Sequence, residues 1–429
     1  MPRSASSPRT DGMLASVPQP NRPTTVTRVN DVDFSPAAPD VAPLLDLTDP
    51  QVVADPYAAL AACRSTAPVG WHGALGMYVA TSHAACNAVL RDRALGRIFQ
   101  ERAPEADWDT FNWLHADSIL DSEPPKHTRL RRLIAGAFGR GHVQRLAPRI
   151  EKLAAGLVQD CAATVSESGS VDVIEGLAEP LPVLVIAELL GVPEADRHLL
   201  RPWSQAIVRM YEMTRTPHEE AEAQRASREV AAYVEDLAAD RARHPGEDLL
   251  SDLVAARDGS DRLSPRELVA TAVLLLNAGH EASVNGFGNG LASLLAAGGD
   301  FGDPVTLVEE MLRHDSPLHL FERTATHDTV IEGVSVRAGQ KIAALLGAAN
   351  RDPAVFDAPD DFQPDRDPNP HLAFGAGIHF CVGAPLARLE LATSAGVLLG
   401  RWPRLQVVEA VRRPTFVLRG YERLVIAPA

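Results

Sequence analysis

Apolar residues recur at helical spacing through most of the chain, and alternate as strands do in only a few short stretches. Pro56-Tyr57 opens a first helix, Val69–His72 and Met77–Ala80 alternate like a hairpin, and Ser82–Arg91 is helical again. Residues 92–122 follow no clear period and read as irregular, although they carry Phe99, Trp108, Phe111 and Trp113. A helix starts at Glu123–Arg132 with proline in its first turn, and amphipathic segments follow at roughly 143–163, 181–190, 194–212, 217–243 and 247–257. Ser264-Pro265-Arg266-Glu267 is a capping box with proline at the first helical position. From there to about Ala296 nothing stops the helix, which spans roughly 45 Å at about 1.5 Å per residue. Being apolar nearly all round, it is expected at the centre of the molecule. Glu310–Arg313 lies on another helix, Thr329–Leu346 alternates as strands around Gly333 and Gly339, and Asn350–Pro353 begins a loop-rich stretch. Ala384–Glu390 is helical, with Pro385 suited to the first turn. The pattern predicts a mainly α fold with a smaller β region.

Composition narrows the class. Hydrophobic content of 45% and charged content of 23% are those of a globular protein, and the net charge of −15 argues against a nucleic-acid binder. Cys63, Cys86, Cys161 and Cys381 lie far apart, so neither a zinc cage nor a disulfide framework is indicated, and a cytoplasmic location fits. Residues 1–41, rich in Pro, Ser, Thr and Ala, read as a disordered leader, and residues 42–429 as a single domain. No run of eighteen apolar residues occurs, so no membrane span is expected.

Two stretches carry chemistry. Phe374–Gly383 reads Phe-Gly-Ala-Gly-Ile-His-Phe-Cys-Val-Gly, with glycines that permit a tight loop just ahead of a helix. Cys381 therefore sits where free N–H groups and the helix dipole favour a thiolate, as an axial ligand of haem iron requires. A buried structural cysteine in a turn is the plainer alternative for a cysteine taken alone. In the middle of the long helix, Asn277-Ala278-Gly279-His280-Glu281-Ala282-Ser283 places a glycine and an acid where both are costly, which marks a site. A carboxylate bonded to backbone in a helix kink is the structural alternative for Glu281.

The loop resembles the haem-binding loop of the cytochrome P450 family, Phe-Gly-x-Gly-x-His/Arg-x-Cys-x-Gly, at Phe374, Gly375, Gly377, His379, Cys381 and Gly383. The resemblance covers about 55–429 and implies the P450 fold, a triangular prism with haem b between the long distal helix and the cysteine loop. It implies that Cys381 is the iron ligand, and that His127, Arg131, Arg323 and His379 meet the haem propionates. Ala278, Gly279, Glu281 and Ser283 match the family's oxygen-binding groove, whereas Ala282 stands where a threonine usually helps deliver protons to dioxygen. Glu281 and Ser283 then become candidates for proton delivery, with ordered water or a substrate hydroxyl, and Ala282 shapes the oxygen pocket. Glu310, Arg313 and Arg366 match a buried structural ion cluster. Phe99, Trp108, Phe111, Trp113, Asn277, Leu318, His319, Phe321 and Phe416 are expected to line the substrate pocket, and 194–243 to form a mobile lid. Arg129, Arg132 and Arg140 would offer a basic patch to an acidic ferredoxin, which with its reductase supplies electrons because the chain carries no flavin motif. The implied activity is monooxygenation of a small organic molecule in secondary metabolism. The alternatives are a haem-thiolate enzyme that does not insert oxygen (ring coupling or peroxide-driven), which Ala282 motivates, and a haem or ligand-binding protein without turnover.

Overall fold

The structure, a computed structural model, describes residues 38–135, 140–212, 215–256, 261–298 and 301–429. In chain order the elements are α1 (Pro50–Ala54), α2 (Tyr57–Thr66), β1 (Val69–His72), β2 (Met77–Ala80), α3 (His83–Arg91), β3 (Leu95–Gly96), α4 (Glu105–Ala116), α5 (Lys126–Ala135) and α6 (Arg140–Ser168). Next come β4 (Val171–Asp172), α7 (Pro180–Leu190), α8 (Leu200–Val208), α9 (Pro217–Arg243), α10 (Leu249–Ala255), α11 (Pro265–Ala297) and α12 (Pro304–His314). The remainder is β5 (Leu320–Ala325), β6 (Thr329–Ile331), β7 (Val334–Val336), β8 (Lys341–Leu345), α13 (Leu346–Ala349), α14 (Ala384–Arg401), β9 (Leu405–Arg412) and β10 (Tyr421–Pro428).

The largest sheet has the order β1-β2-β8-β5-β3, antiparallel except that β2 runs parallel to β8. A second sheet is ordered β4-β10-β9, and β6 and β7 form a hairpin. The main core is helical, gathered round α11, while two smaller cores pack on the largest sheet. The capping box at the start of α11 forms as its sequence requires: the Ser264 N–H donates to Glu267 Oε2 at 2.9 Å and the Glu267 N–H to Ser264 Oγ at 3.3 Å. Gly298, at φ 66°, ends the helix in the left-handed conformation that glycine adopts without strain.

Two expectations are corrected. Residues 105–116 are helical rather than irregular. Trp108, Phe111 and His115 recur at helical spacing on one buried face of α4, and two acids in its first turn suit the helix dipole. Of the leader expected over 1–41, residues 1–37 lie outside the described residues, but residues 38–41 are ordered against the sheet. Val41 is fully buried, and its N–H donates to Trp71 O at 2.8 Å while the Trp71 N–H donates to Pro39 O at 2.7 Å.

Candidate active site

The cysteine loop is built by local backbone constraints. Gly375 and Gly377 sit at φ 69° and 71°, and a Cβ on Gly377 would meet Leu90 O at 2.5 Å, so only glycine fits there. Gly383, at φ −83°, needs no such freedom and is the residue preceding α14. The Cys381 N–H donates to Phe374 O at 3.0 Å and closes the loop. Arg388 covers the Phe374 ring at 4.4 Å. Burial, the foremost influence, raises the Cys381 thiol, although backbone N–H groups of Gly383 and Ala384 and the charges of Arg131 and Arg388 pull the other way. The thiolate expected from the helix dipole alone is therefore not favoured here, and a metal ion at the sulfur would supply the charge that favours it.

Opposed to this stands α11. In the middle of α11, where all other side chains from Glu267 to Leu291 are buried, Leu274, Ala278 and Ala282 retain accessible surface, and their spacing of four puts them on one face. A row of accessible small side chains inside a molecule marks an open space beside them. Gly279 has a different reason: a Cβ there would sit 2.8 Å from Ile186 Cδ1, so glycine lets α7 close on α11. Glu281 is buried and accepts from Arg413 Nη1 at 2.7 Å. Arg413 also reaches Glu179 at 3.2 Å, and Glu179 pairs with the half-exposed Arg201, so Glu281 is joined to the surface by alternating charges rather than bonded to its own helix. Ser283 donates to Glu390 of α14, whose only other described influence is burial. Burial pushes this carboxyl from 4.5 up to about 8, so it is protonated at neutral pH.

At one edge of the space several cationic or donor groups lack partners. Arg323 is 1% exposed, its Nη1 donates to Glu322 O at 3.0 Å, and its Nη2 is unsatisfied. Burial, with the charge of Arg97 beside it, lowers this guanidinium to about 9. Arg97 bonds Asp121 at 2.8 Å but leaves Nε unsatisfied, and Phe321 lies between the two guanidiniums at 5.0 and 4.3 Å. His127 is buried with Nε2 unsatisfied, its ring 4.5 Å from that of His379, and burial, then the charges of His379 and Arg131, lowers it to about 4. His379 Nε2 meets Glu123 at 2.8 Å, and Arg131 donates to Ile378 O at 3.3 Å. Unpaired buried donors cost free energy unless an anion meets them, so these residues fit a ligand with carboxylates at this edge. Among the described residues no three His, Cys, Asp or Glu side chains gather into a metal cage.

A cavity of about 330 Å³ opens from Arg97 and Arg323 toward Phe99, Phe111, His115, Arg102 and Tyr211. Of the residues expected to line a substrate pocket, Phe99 and Phe111 do so here. Trp108 packs edge-on behind Phe111 at 5.2 Å, and Trp113 lies under Arg266 at 5.2 Å. His319 and Phe416 are packed into the smaller core with Tyr57, their rings 5.6 Å apart, and line no part of this cavity. Leu318 pairs with Leu418 beside them, and Asn277 is buried in α11 with Oδ1 unsatisfied. Glu310 and Arg313 are wholly buried and doubly bonded at 2.7 Å, with Arg366 Nε 3.1 Å from Glu310. Gln363 N–H and Asn369 also donate to Glu310 at 2.8 and 3.1 Å. Burial, the largest single influence, would push Glu310 up, but Arg313, the Gln363 N–H and Arg366 together outweigh it and hold the carboxyl below its ordinary range.

The family model described as Cytochrome P450 matches residues 306–414, from α12 to the end of β9. 6-Deoxyerythronolide B hydroxylase of Saccharopolyspora erythraea is 36% identical over 402 residues, 88% of this chain and 97% of that protein. The chain belongs to the cytochrome P450 family. It is similar also to nocardicin C N-oxygenase of Nocardia uniformis subsp. tsuyamanensis, 41% identical over 341 residues, covering 77% of this chain and 83% of the relative. The crystal structure of P450BioI with an acyl carrier protein ligated to hexadec-9Z-enoic acid matches at a TM-score of 0.82 and 32% identity, over 88% of this chain and 99% of that one. This P450 is thus a monooxygenase whose relatives are bacterial enzymes of secondary metabolism, hydroxylases and an N-oxygenase among them, and the family implies a haem cofactor. Among the described residues no helix is long and apolar enough to cross a membrane.

Sequence reasoning missed Arg97, Glu123 and Glu390 in this P450. Glu390 had a legible signal: it interrupts the apolar stripe of Leu386, Leu391, Ala395 and Leu398 on α14. Arg97 had none, because its neighbours Asp121 and Phe321 are distant in the chain.

Proposed function

We propose that this P450 inserts oxygen from O2 into a small organic molecule of secondary metabolism, using haem b and electrons from a separate ferredoxin and its reductase in the cytoplasm. The observation that carries the reading is Cys381, held in a glycine-cleared loop with N–H donors and cations around its sulfur. His127, Arg131, Arg323 and His379, joined by Arg97, would hold the propionates, and Ala278, Phe374, Gly375 and Gly383 would border the ring, with Gly279 beside Ala278 giving its space to Ile186 of α7. When bound, the haem supplies reductive activation of dioxygen, aided by electron density from the thiolate.

The chain's own part is to hold protons and exclude water. Ala282 cannot donate a proton, so the alcohol one position on, Ser283, takes that place in our reading. Glu390 keeps a proton at neutral pH in contact with Ser283 and can release it to Ser283 Oγ. Glu281, oriented by Arg413, is our candidate for the group through which ordered water returns protons. Phe99, Phe111 and Phe321 would present apolar walls to substrate, while Trp108, Trp113, Asn277, Leu318, His319 and Phe416 stiffen those walls from behind. Met210 and Tyr211 lie on the cavity within the segment 194–243, which fits a lid; Met213 and Thr214 of that segment lie outside the described residues. Arg129, which pairs with Asp261 and Glu267, and Arg132 are our candidates for the docking of ferredoxin; the side chain of Arg140 lies outside the described residues.

Ala282 also favours a second reading, an oxidation without insertion of oxygen from O2 and driven by peroxide, which brings its own two protons and needs none delivered to dioxygen. Product analysis under isotopically labelled dioxygen separates the two, label in product supporting insertion. The ferrous carbonyl spectrum of freshly folded protein tests the ligand: a thiolate signature that disappears in Cys381→Ala is expected, and full turnover by that variant would refute the assignment.

A further inference from the structure

Arg102 lines the far end of the cavity, and just outside it the exposed Arg215 meets the same backbone with no acid between the two. Arg102 Nη2 and Arg215 Nη1 donate to the same carbonyl, that of Met210, at 3.0 and 3.3 Å. Arg215 also donates to Glu212 O. Among the described residues neither forms an ion pair, although the chain carries 56 Asp and Glu; of the other cations on this wall Arg323 also lacks one, while two are matched. Arg97 has Asp121, and Lys341 has Glu322 at 2.9 Å. Glu220 acts on Arg102 from a distance, and Glu101 stands on the exposed rim; neither meets it. Burial and the charge of Arg215 both make Arg102 a poorer place for a proton than in water.

This arrangement is held rather than incidental. The buried Asn112 fixes the Arg102 backbone from both sides, its Oδ1 accepting from the Arg102 N–H at 2.9 Å and its Nδ2 donating to Arg102 O at 3.0 Å. The guanidinium is stacked over Trp108 and Phe111 at 5.0 and 5.2 Å, so α4 presents it beside an apolar wall. Two like charges converging on one carbonyl repel each other, and an anion between them would relieve both.

We propose that Arg102, backed by Arg215, binds a carboxylate of the substrate, so that this P450 acts on an amphipathic organic acid rather than on a neutral molecule. The proposal rests on reading the cavity as the substrate chamber. The carboxylate takes the cationic end and the hydrophobic body lies along Phe111 and Phe99 toward Arg97 and Arg323.

The test uses the haem-loaded enzyme and matched acid and amide probes: octanoate, dodecanoate and 3-phenylpropionate, each beside its primary amide. Binding is measured by calorimetry, which reads affinity whether or not turnover follows, so failure here is distinct from failure of the thiolate spectrum. In at least one pair the acid should bind about tenfold or more tightly than the amide, as a charge-assisted hydrogen bond implies. Arg102→Gln should abolish that preference while the amide's affinity is kept, and Arg215→Gln should weaken it. Should Arg102→Gln fail to take up haem, Arg215→Gln decides alone. Equal affinity for acids and amides throughout, no binding of any acid, or a preference that survives both substitutions would overturn the proposal.

Discussion

Glu390 offers the sharpest test of how the core of this P450 handles protons. Its carboxyl is 3% exposed and is raised from 4.5 to about 8 by burial, against which a hydrogen bond from Ser283 works only in part. A folded-state value above the unfolded one means that the native protein holds a proton the unfolded chain releases. The stability this group contributes is therefore complete below 4.5 and is lost as pH rises through about 8. Each pH unit in that window is worth about 1.4 kcal/mol, so near neutrality the protonated carboxyl costs the fold about 3 kcal/mol. Glu390→Gln keeps shape and hydrogen-bonding capacity but cannot titrate. At pH 5 the variant should match wild type within about 1 kcal/mol, and at pH 8 it should be more stable by about 4 kcal/mol. Chemical denaturation of both proteins across that range, followed by circular dichroism, measures the divergence; the infrared C=O band of a protonated carboxyl should vanish in the variant. Parallel pH profiles would show that Glu390 is ionised in the fold, and the proton reservoir beside Ser283 would be lost with it.

Removing Arg313 strands a wholly buried carboxylate with Arg366 as its one remaining cation; Arg313→Ala should cost about 3–5 kcal/mol, read as a lower denaturation midpoint and poor haem uptake, and a loss under about 1 kcal/mol would refute the role. Gly377→Ala forces a Cβ to within 2.5 Å of Leu90 O at φ 71°, so the thiolate signature should be lost, whereas Gly396→Ala in α14, with nothing within 4 Å, should be neutral or stabilising by roughly 0.5–1 kcal/mol. Arg323→Gln removes a buried cation with an unsatisfied Nη2; haem should pass to apomyoglobin about tenfold faster while the haem-free protein is no less stable, and an unchanged transfer rate would exclude a contact with the propionates. Glu281→Gln should leave haem content intact and slow product formation by roughly 10²-fold if Glu281 relays protons, and unchanged coupling of electrons to product would remove that role.

The parts of this fold that sequence reasoning reached are those written in local chemistry. The start of α11 is visible in Ser264, Pro265 and Glu267 because a cap is closed by residues three apart, and the cysteine loop in its glycines because positive φ is a property of one residue. The helix α4 was passed over although Trp108, Phe111 and His115 carry its period, because Asp109, Thr110 and Asn112 dilute the apolar face and Pro104 suggests a loop. The placing of His319 and Phe416 could not be read, since it depends on how Tyr57 and Asp315 converge with the last strands; burial, foremost, and the charge of Arg419 lower His319 to about 3. Arg97 and Arg323 meet across more than two hundred residues of chain, and no local pattern encodes such a pairing.

The loss of an alcohol at position 282 and the presence of a neutral acid at 390 belong to one argument. A hydroxyl at 282 would face the open side of α11 with Leu274 and Ala278, where water could order around it. Ser283 faces the other way, into α14, and is buried with Glu390. Moving the hydroxyl by one residue rotates it by about 100° round a helix of about 3.6 residues per turn, from the cavity to the interior. A buried hydroxyl can carry protons only if something behind it holds one at working pH, and an ordinary carboxylate does not. Glu390, alone in an apolar interface and so kept neutral, meets that condition, which makes its burial a requirement of the shifted alcohol rather than an unrelated cost of packing.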